Sequence, residues 1–104
     1  MAGGGRDIPA AEMDVLRALW RLESGTVREL MEELRRRGRR LAYTTVLTLV
    51  VRLERKGYVT RGRKESLADV YRARISRQRV TADRLDALVE QLGDGEAAPL
   101  VLQL

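Results

Sequence analysis

The hydrophobic pattern of this chain changes period at Gly57, and that change constrains the fold more than any other feature. Up to Gly57 the apolar residues recur every three or four positions; from there to Ile75 they fall in short runs rich in Val and Tyr. The first stripe is Met13, Leu16, Leu19 and Trp20, running through Leu22 from a start near Pro9, a residue suited to the first turn of a helix. "ESG" breaks it. Thr26 and Glu29 then stand at capping-box spacing ahead of a second stripe, Val27, Leu30, Met31 and Leu34. That helix is expected to end at Gly38, with Arg35, Arg36 and Arg37 in the last turn favouring the negative end of its dipole. The third helix lies in "LAYTTVLTLVVRLERKGYV", Leu41 to Val59. After Gly57, "YVTRGR" and "DVYRARI" are β-prone runs joined by "KESLA", which reads as a hairpin with a basic, polar tip.

The third helix asks why threonines stand at 44, 45 and 48 when propensity does not favour them. At about 100° per residue, Ala42, Val46, Leu49, Val50 and Leu53 share one side, and Thr44, Thr45, Thr48, Arg52 and Arg55 the other. A solvated face is more cheaply made from Glu, Lys or Gln, so short, methyl-bearing hydroxyl side chains suggest close approach to a surface. DNA fits: threonine can bond base edges or touch thymine methyls in the major groove. The plainer alternative leaves these threonines as surface residues with no partner. Three helices and a basic hairpin predict a mainly α fold with a small antiparallel β-hairpin wing, a winged helix-turn-helix over residues 9–75. Trp20, Tyr58 and Tyr71 are its large core side chains. Thr44, Thr45 and Thr48 are then expected to meet bases, with Tyr43 at the start of the helix beside them. Arg39, Arg40, Arg52, Arg61, Arg63 and Lys64 are expected to meet phosphates.

Composition narrows the chemistry. The 104 residues suit one domain, and 20 Lys and Arg against 15 Asp and Glu leave a formal charge of +5, which favours an anionic partner. With neither Cys nor His, the chain lacks disulfides, thiolate chemistry and imidazole ligands, leaving only carboxylates for a metal or a general base. The acids sit mostly on helix faces. Glu29, Glu32 and Glu33 read with Arg35, Arg36 and Arg37 as a solvated helix surface, so neither an enzyme nor a metal or cofactor site is expected. The N-terminus has no apolar core of signal-peptide length, and Leu41 to Val51 is too short to span a bilayer, so a cytoplasmic protein is expected. A winged helix that binds RNA or a protein partner is the alternative function; only 4% aromatic residues and no Phe weigh against single strands.

Outside the winged region, residues 1–8 read as a flexible, glycine-rich lead-in. At the other end Ser76 can cap a helix through Leu92, whose stripe Leu85, Leu88, Val89 and Leu92 needs a partner. A second copy of the chain would supply one. The alternative is that Val80 to Leu92 folds back on its own domain.

The segments "AEMDVLRALW", "TVRELMEEL", "LAYTTVLTLVVRLERKGYV" and "VYRARIS" resemble the penicillinase-repressor family of bacterial transcriptional repressors, the BlaI, MecI and CopY type. The resemblance runs from about Pro9 to Leu104. It is strongest in "AYTTVLTLVVRLERKG", where Thr44, Thr45, Thr48, Arg52, Leu53, Lys56 and Gly57 match the family's recognition-helix pattern in order and spacing. It implies a homodimer that binds a palindromic double-stranded operator, blocks transcription and lets go when induced. Residues 76–104 would be a C-terminal dimerisation segment, short beside the family's three helices, with a second helix at "EAAPLVLQL". Copper-responsive members carry C-terminal cysteine pairs, absent here. The β-lactam-linked members are cut by a membrane-sensor protease system, so a regulatory protease is an implied partner. "VLQL" lies near the equivalent place without the Asn-Phe pair of some relatives.

Overall fold

The computed structural model describes residues 8–63 and 68–92. The lead-in "MAGGGRD", most of the tip "KESLA" with Lys64, and the segment "EAAPLVLQL" lie outside the described residues. In chain order the elements are α1 (Ala10–Leu22), α2 (Val27–Arg36), α3 (Tyr43–Arg55), β1 (Val59–Arg63), β2 (Asp69–Ala73) and α4 (Arg77–Leu92). This is the predicted winged helix-turn-helix, mainly helical with one antiparallel hairpin.

The helix ends follow from local chemistry. Thr26 caps α2 by accepting from the Glu29 backbone at 3.1 Å while the Glu29 carboxylate accepts from the Thr26 amide at 2.9 Å, which satisfies two otherwise orphaned donors. Both α2 and α3 close in the same way. At α2 the Gly38 amide donates to the Arg35 carbonyl and the Arg39 amide to Leu34; at α3 Gly57 donates to Glu54 and Tyr58 to Leu53. These paired bonds need a left-handed residue after the helix, and Gly38 and Gly57 supply φ of 88° and 86°. At the end of α1 that duty falls on Glu23, at φ 70°, where a side chain is strained.

The first three helices bury Leu16, Leu19, Leu30, Leu34, Val46, Val50 and Leu53 against one another, and Tyr58, Val59 and Tyr71 close the core on the hairpin side. Each such aliphatic side chain contributes roughly 1.5–3 kcal/mol relative to exposure. The hairpin register pairs Val59 with Ala73 and Arg61 with Tyr71. A bridge unseen in the sequence ties it inward: Gly25, in the turn between α1 and α2, exchanges both backbone hydrogen bonds with Tyr71, at 2.9 and 2.8 Å.

Several expectations are corrected. Ile8, assigned to the flexible lead-in, is buried and packs in the core. Pro9 precedes α1 as its cap and is not its first residue. Ala42, placed on the apolar side of the third helix, is an exposed cap, because the chain has not yet entered the helix there. Trp20 is only partly buried, at the edge of the core. Glu33 is no surface acid but is buried at 6% exposure, since α1 lies across α2 at that point and brings Arg21 to it.

The capping role expected of Ser76 is present: its Oγ accepts from the Arg79 amide at 3.0 Å. In α4 only Val80 is buried, whereas Leu85, Leu88, Val89 and Leu92 are exposed. Among the described residues no helix is long and apolar enough to cross a membrane.

Candidate nucleic-acid interface

Helix α3 turns Val46, Leu49, Val50 and Leu53 into the core and Tyr43, Thr44, Thr45, Leu47, Thr48, Arg52 and Arg55 outward. Thr44, Thr48, Arg52 and Arg55 follow one another along a single ridge, roughly 16 Å long at 1.5 Å rise per residue. The Thr48 hydroxyl donates to the Thr44 carbonyl at 2.9 Å, so its outward groups are a methyl and acceptor lone pairs. Thr45 is exposed beside it. A helix bearing such a ridge matches the width of the major groove, about 12 Å.

At the start of α3, Tyr43 lies beneath Arg28 of α2, whose guanidinium carbon stands 6.0 Å from the ring centroid. Tyr43 and Leu47 together rim a cleft of about 450 Å³ whose other walls include Thr26, Val27, Asp69 and Tyr71. Two of the exposed large apolar side chains therefore belong to the junction between α3 and the wing, and not to α4.

The arginines divide by whether the fold already supplies an anion. Glu33 accepts from Arg21 at 2.6 Å, Arg36 at 2.7 Å and Arg37 at 3.3 Å. Hydrogen bonds from Arg21 first, and then Arg36 and Arg37, hold its carboxyl down at about 2 from an ordinary value of 4.5. Arg39 pairs with Asp14 of α1 at 3.2 Å. Arg61 lies on the same face of the hairpin as Tyr71 and reaches Glu54 of α3 at 3.4 Å and Asp69 at 3.6 Å. Lys56 holds the buried Glu12 at 2.7 Å, so this family-pattern position ties α3 to α1. By contrast Arg40, Arg52 and Arg55 are exposed and form no ion pair among the described residues.

Of the expected site residues, then, the fold gathers Tyr43, Thr44, Thr45, Thr48 and Arg52 on one exposed surface, with Arg40 exposed just ahead of α3. It engages Arg39 and Arg61 with acids. Arg63 ends β1 opposite Asp69, and Lys64 is outside the described residues. Arg28, Leu47 and Arg55 join the surface without having been assigned to the site. Leu47 was legible, three residues beyond Thr44 on the helical wheel; Arg28 was not, because its approach to Tyr43 depends on how α2 meets α3. No group of acids among the described residues could hold a metal ion.

A family model described as penicillinase repressor matches residues 8–104. No curated protein matches the chain. Among solved structures, the complex structure of hsRosR-S4 aligns with a TM-score of 0.65 at 17% identity, covering 96% of this chain and 88% of that one. A MarR family protein from Bacillus stearothermophilus aligns at 0.58 with 24% identity, over 92% and 67% of the two chains. The transcriptional regulator Tm0710 from Thermotoga maritima aligns at 0.56 with 25% identity, over 90% and 69%.

Proposed function

Because this chain belongs to the penicillinase repressor family and is a winged-helix, DNA-binding transcriptional regulator, we propose that it acts as a repressor, binding a palindromic operator as a homodimer. The observation that carries the reading is the exposed threonine ridge of α3, flanked by Arg40, Arg52 and Arg55, none of which has an ion-pair partner among the described residues. Thr44, Thr45 and Thr48 contact bases, with Tyr43 at one end of the ridge. Arg40 and Arg52 contact phosphates, and so does the wing through Arg63 and Lys64. Arg39 and Arg61 contribute less, since each would have to share its charge with an acid.

One winged domain makes few contacts. Two joined domains gain effective concentration and read two half-sites related by the symmetry of the protein. The exposed apolar face of α4, with Leu85, Leu88, Val89 and Leu92, is the proposed seam. A regulatory protease cutting near "VLQL", in the proposed dimerisation segment of residues 76–104, would release the operator by weakening the dimer. Selection from random duplex DNA tests the proposal: an inverted repeat is expected. A single non-repeated site bound by one protomer would overturn the dimeric reading, and selection of no sequence at all would overturn base contact by α3.

A further inference from the structure

Trp20 does not sit in the middle of the core but at the joint between the winged domain and α4. Its indole Nε1 donates to the Ile75 carbonyl at 2.9 Å, and the guanidinium of Arg77 lies over its ring, 4.8 Å from the centroid. Val80, one turn into α4, is 2% exposed and packs in the core. A turn further on, Arg84 donates to the Ile8 carbonyl at 2.9 Å. Beyond Arg84 the large apolar residues of α4, Leu85, Leu88, Val89 and Leu92, are exposed.

These attachments differ in kind and are spread along the helix. A helix held at one point pivots; one held at Arg77, Val80 and Arg84 is fixed over a lever of roughly 10 Å at 1.5 Å per residue. Slack of about 1 Å over that lever is a tilt of roughly 6°, far below the roughly 35° by which one added base pair rotates a second half-site about the DNA axis. A joint with no more slack than that makes its angle matter. Arg77 forms no ion pair among the described residues, so its charge is spent on the face of the indole, a contact that favours one orientation of both groups.

We propose that Trp20 and Arg77 are positioning residues that lock the departure angle of α4 from the winged domain and thereby select the half-site separation this regulator accepts. The proposal rests on the reading of α4 as the dimer seam. The lock touches no base and no phosphate; it acts by holding two recognition helices at one mutual spacing, so that a mismatched separation must be met by breaking the joint or by leaving one half-site unbound.

The test uses the full chain and duplexes carrying the selected half-site once, or twice in inverted orientation with the separation stepped by one base pair. Wild type is expected to prefer one separation by roughly tenfold over its neighbours, and Arg77→Ala and Trp20→Phe to reduce that preference to about twofold. Both variants should sediment as wild type does and bind the single half-site with unchanged affinity. Arg77 is exposed, so its replacement does not threaten folding. Trp20 is the one tryptophan in the chain, and its emission in Arg77→Ala should shift to the red as the ring loses its cover. Dimeric variants that keep the full spacing preference overturn the lock alone. Loss of single-site affinity in Arg77→Ala also overturns it, by making that residue a DNA ligand, and a monomeric wild type overturns the dimer reading on which it rests.

Discussion

Thr45 and Thr48 are exposed neighbours on α3 but offer different chemistry. Thr45 can both donate and accept, whereas Thr48 already donates to Thr44 and is left with a methyl and lone pairs. Replacing Thr45 by Ala is expected to cost roughly 1–3 kcal/mol on the selected operator and little on unrelated DNA, as read by competition binding. Equal losses on both would place Thr45 away from the bases. The arginines separate by a different measurement, the dependence of affinity on salt. Each phosphate contact contributes about 0.9 to the slope of log affinity against log salt. Arg40→Ala and Arg52→Ala should each reduce the slope by about that amount per contact. Arg39→Ala and Arg61→Ala should reduce it by less than half as much, because Asp14, Glu54 and Asp69 already neutralise those charges. Equal changes in all four would mean that the intramolecular pairs open on DNA. The threonine ridge was legible from periodicity alone. The division among the arginines was not, since a run such as "RRRGRR" carries no information about acids that lie elsewhere along the chain.

At the level of elements, the joint between α1 and α2 depends on charge as well as on the apolar stripe. Glu33, held by Arg21 across the helix pair and by Arg36 and Arg37 at the end of its own helix, has its carboxyl lowered from 4.5 to about 2. A carboxylate whose folded value lies below its unfolded one stabilises the fold above the unfolded value, and that contribution disappears as pH falls through the folded value. Thermal stability should therefore decline between pH 4.5 and about 2. In Glu33→Gln it should be lower at neutral pH and decline less steeply over the same range, so that the two proteins converge in acid. A variant that tracks wild type at a constant offset across the whole range would show that the ion pairs contribute nothing. The capping box and the two glycine-closed helix ends were plain in the sequence because each is complete within a few residues. The Gly25–Tyr71 bridge was not, because it pairs a turn with a strand 46 residues later in the chain (71 − 25).

For the molecule as a whole, the proposed dimer sets the exposed face of α4 between two winged domains. Putting Asp at Leu88 would place an unpaired charge at the centre of the proposed seam, where removal from water is costly. Sedimentation at micromolar concentration is expected to show a monomer in Leu88→Asp and a dimer in wild type. Circular dichroism should remain that of the winged domain, and operator affinity should fall by at least about a hundredfold as effective concentration is lost. A Leu88→Asp protein that stays dimeric would move the seam elsewhere. The sequence by itself determined the helices, their ends, the hairpin and the outward turn of Thr44, Thr45 and Thr48, because period, caps and turn glycines act over a single turn or strand. Only the tertiary structure decided that Ile8 belongs to the core, that Trp20 joins α4 to the winged domain, and which arginines face solvent with no ion pair among the described residues. Those outcomes depend on Asp14, Arg21 and Ile75 meeting partners from other elements, and such meetings are set by how the helices pack, which no local pattern of residues encodes.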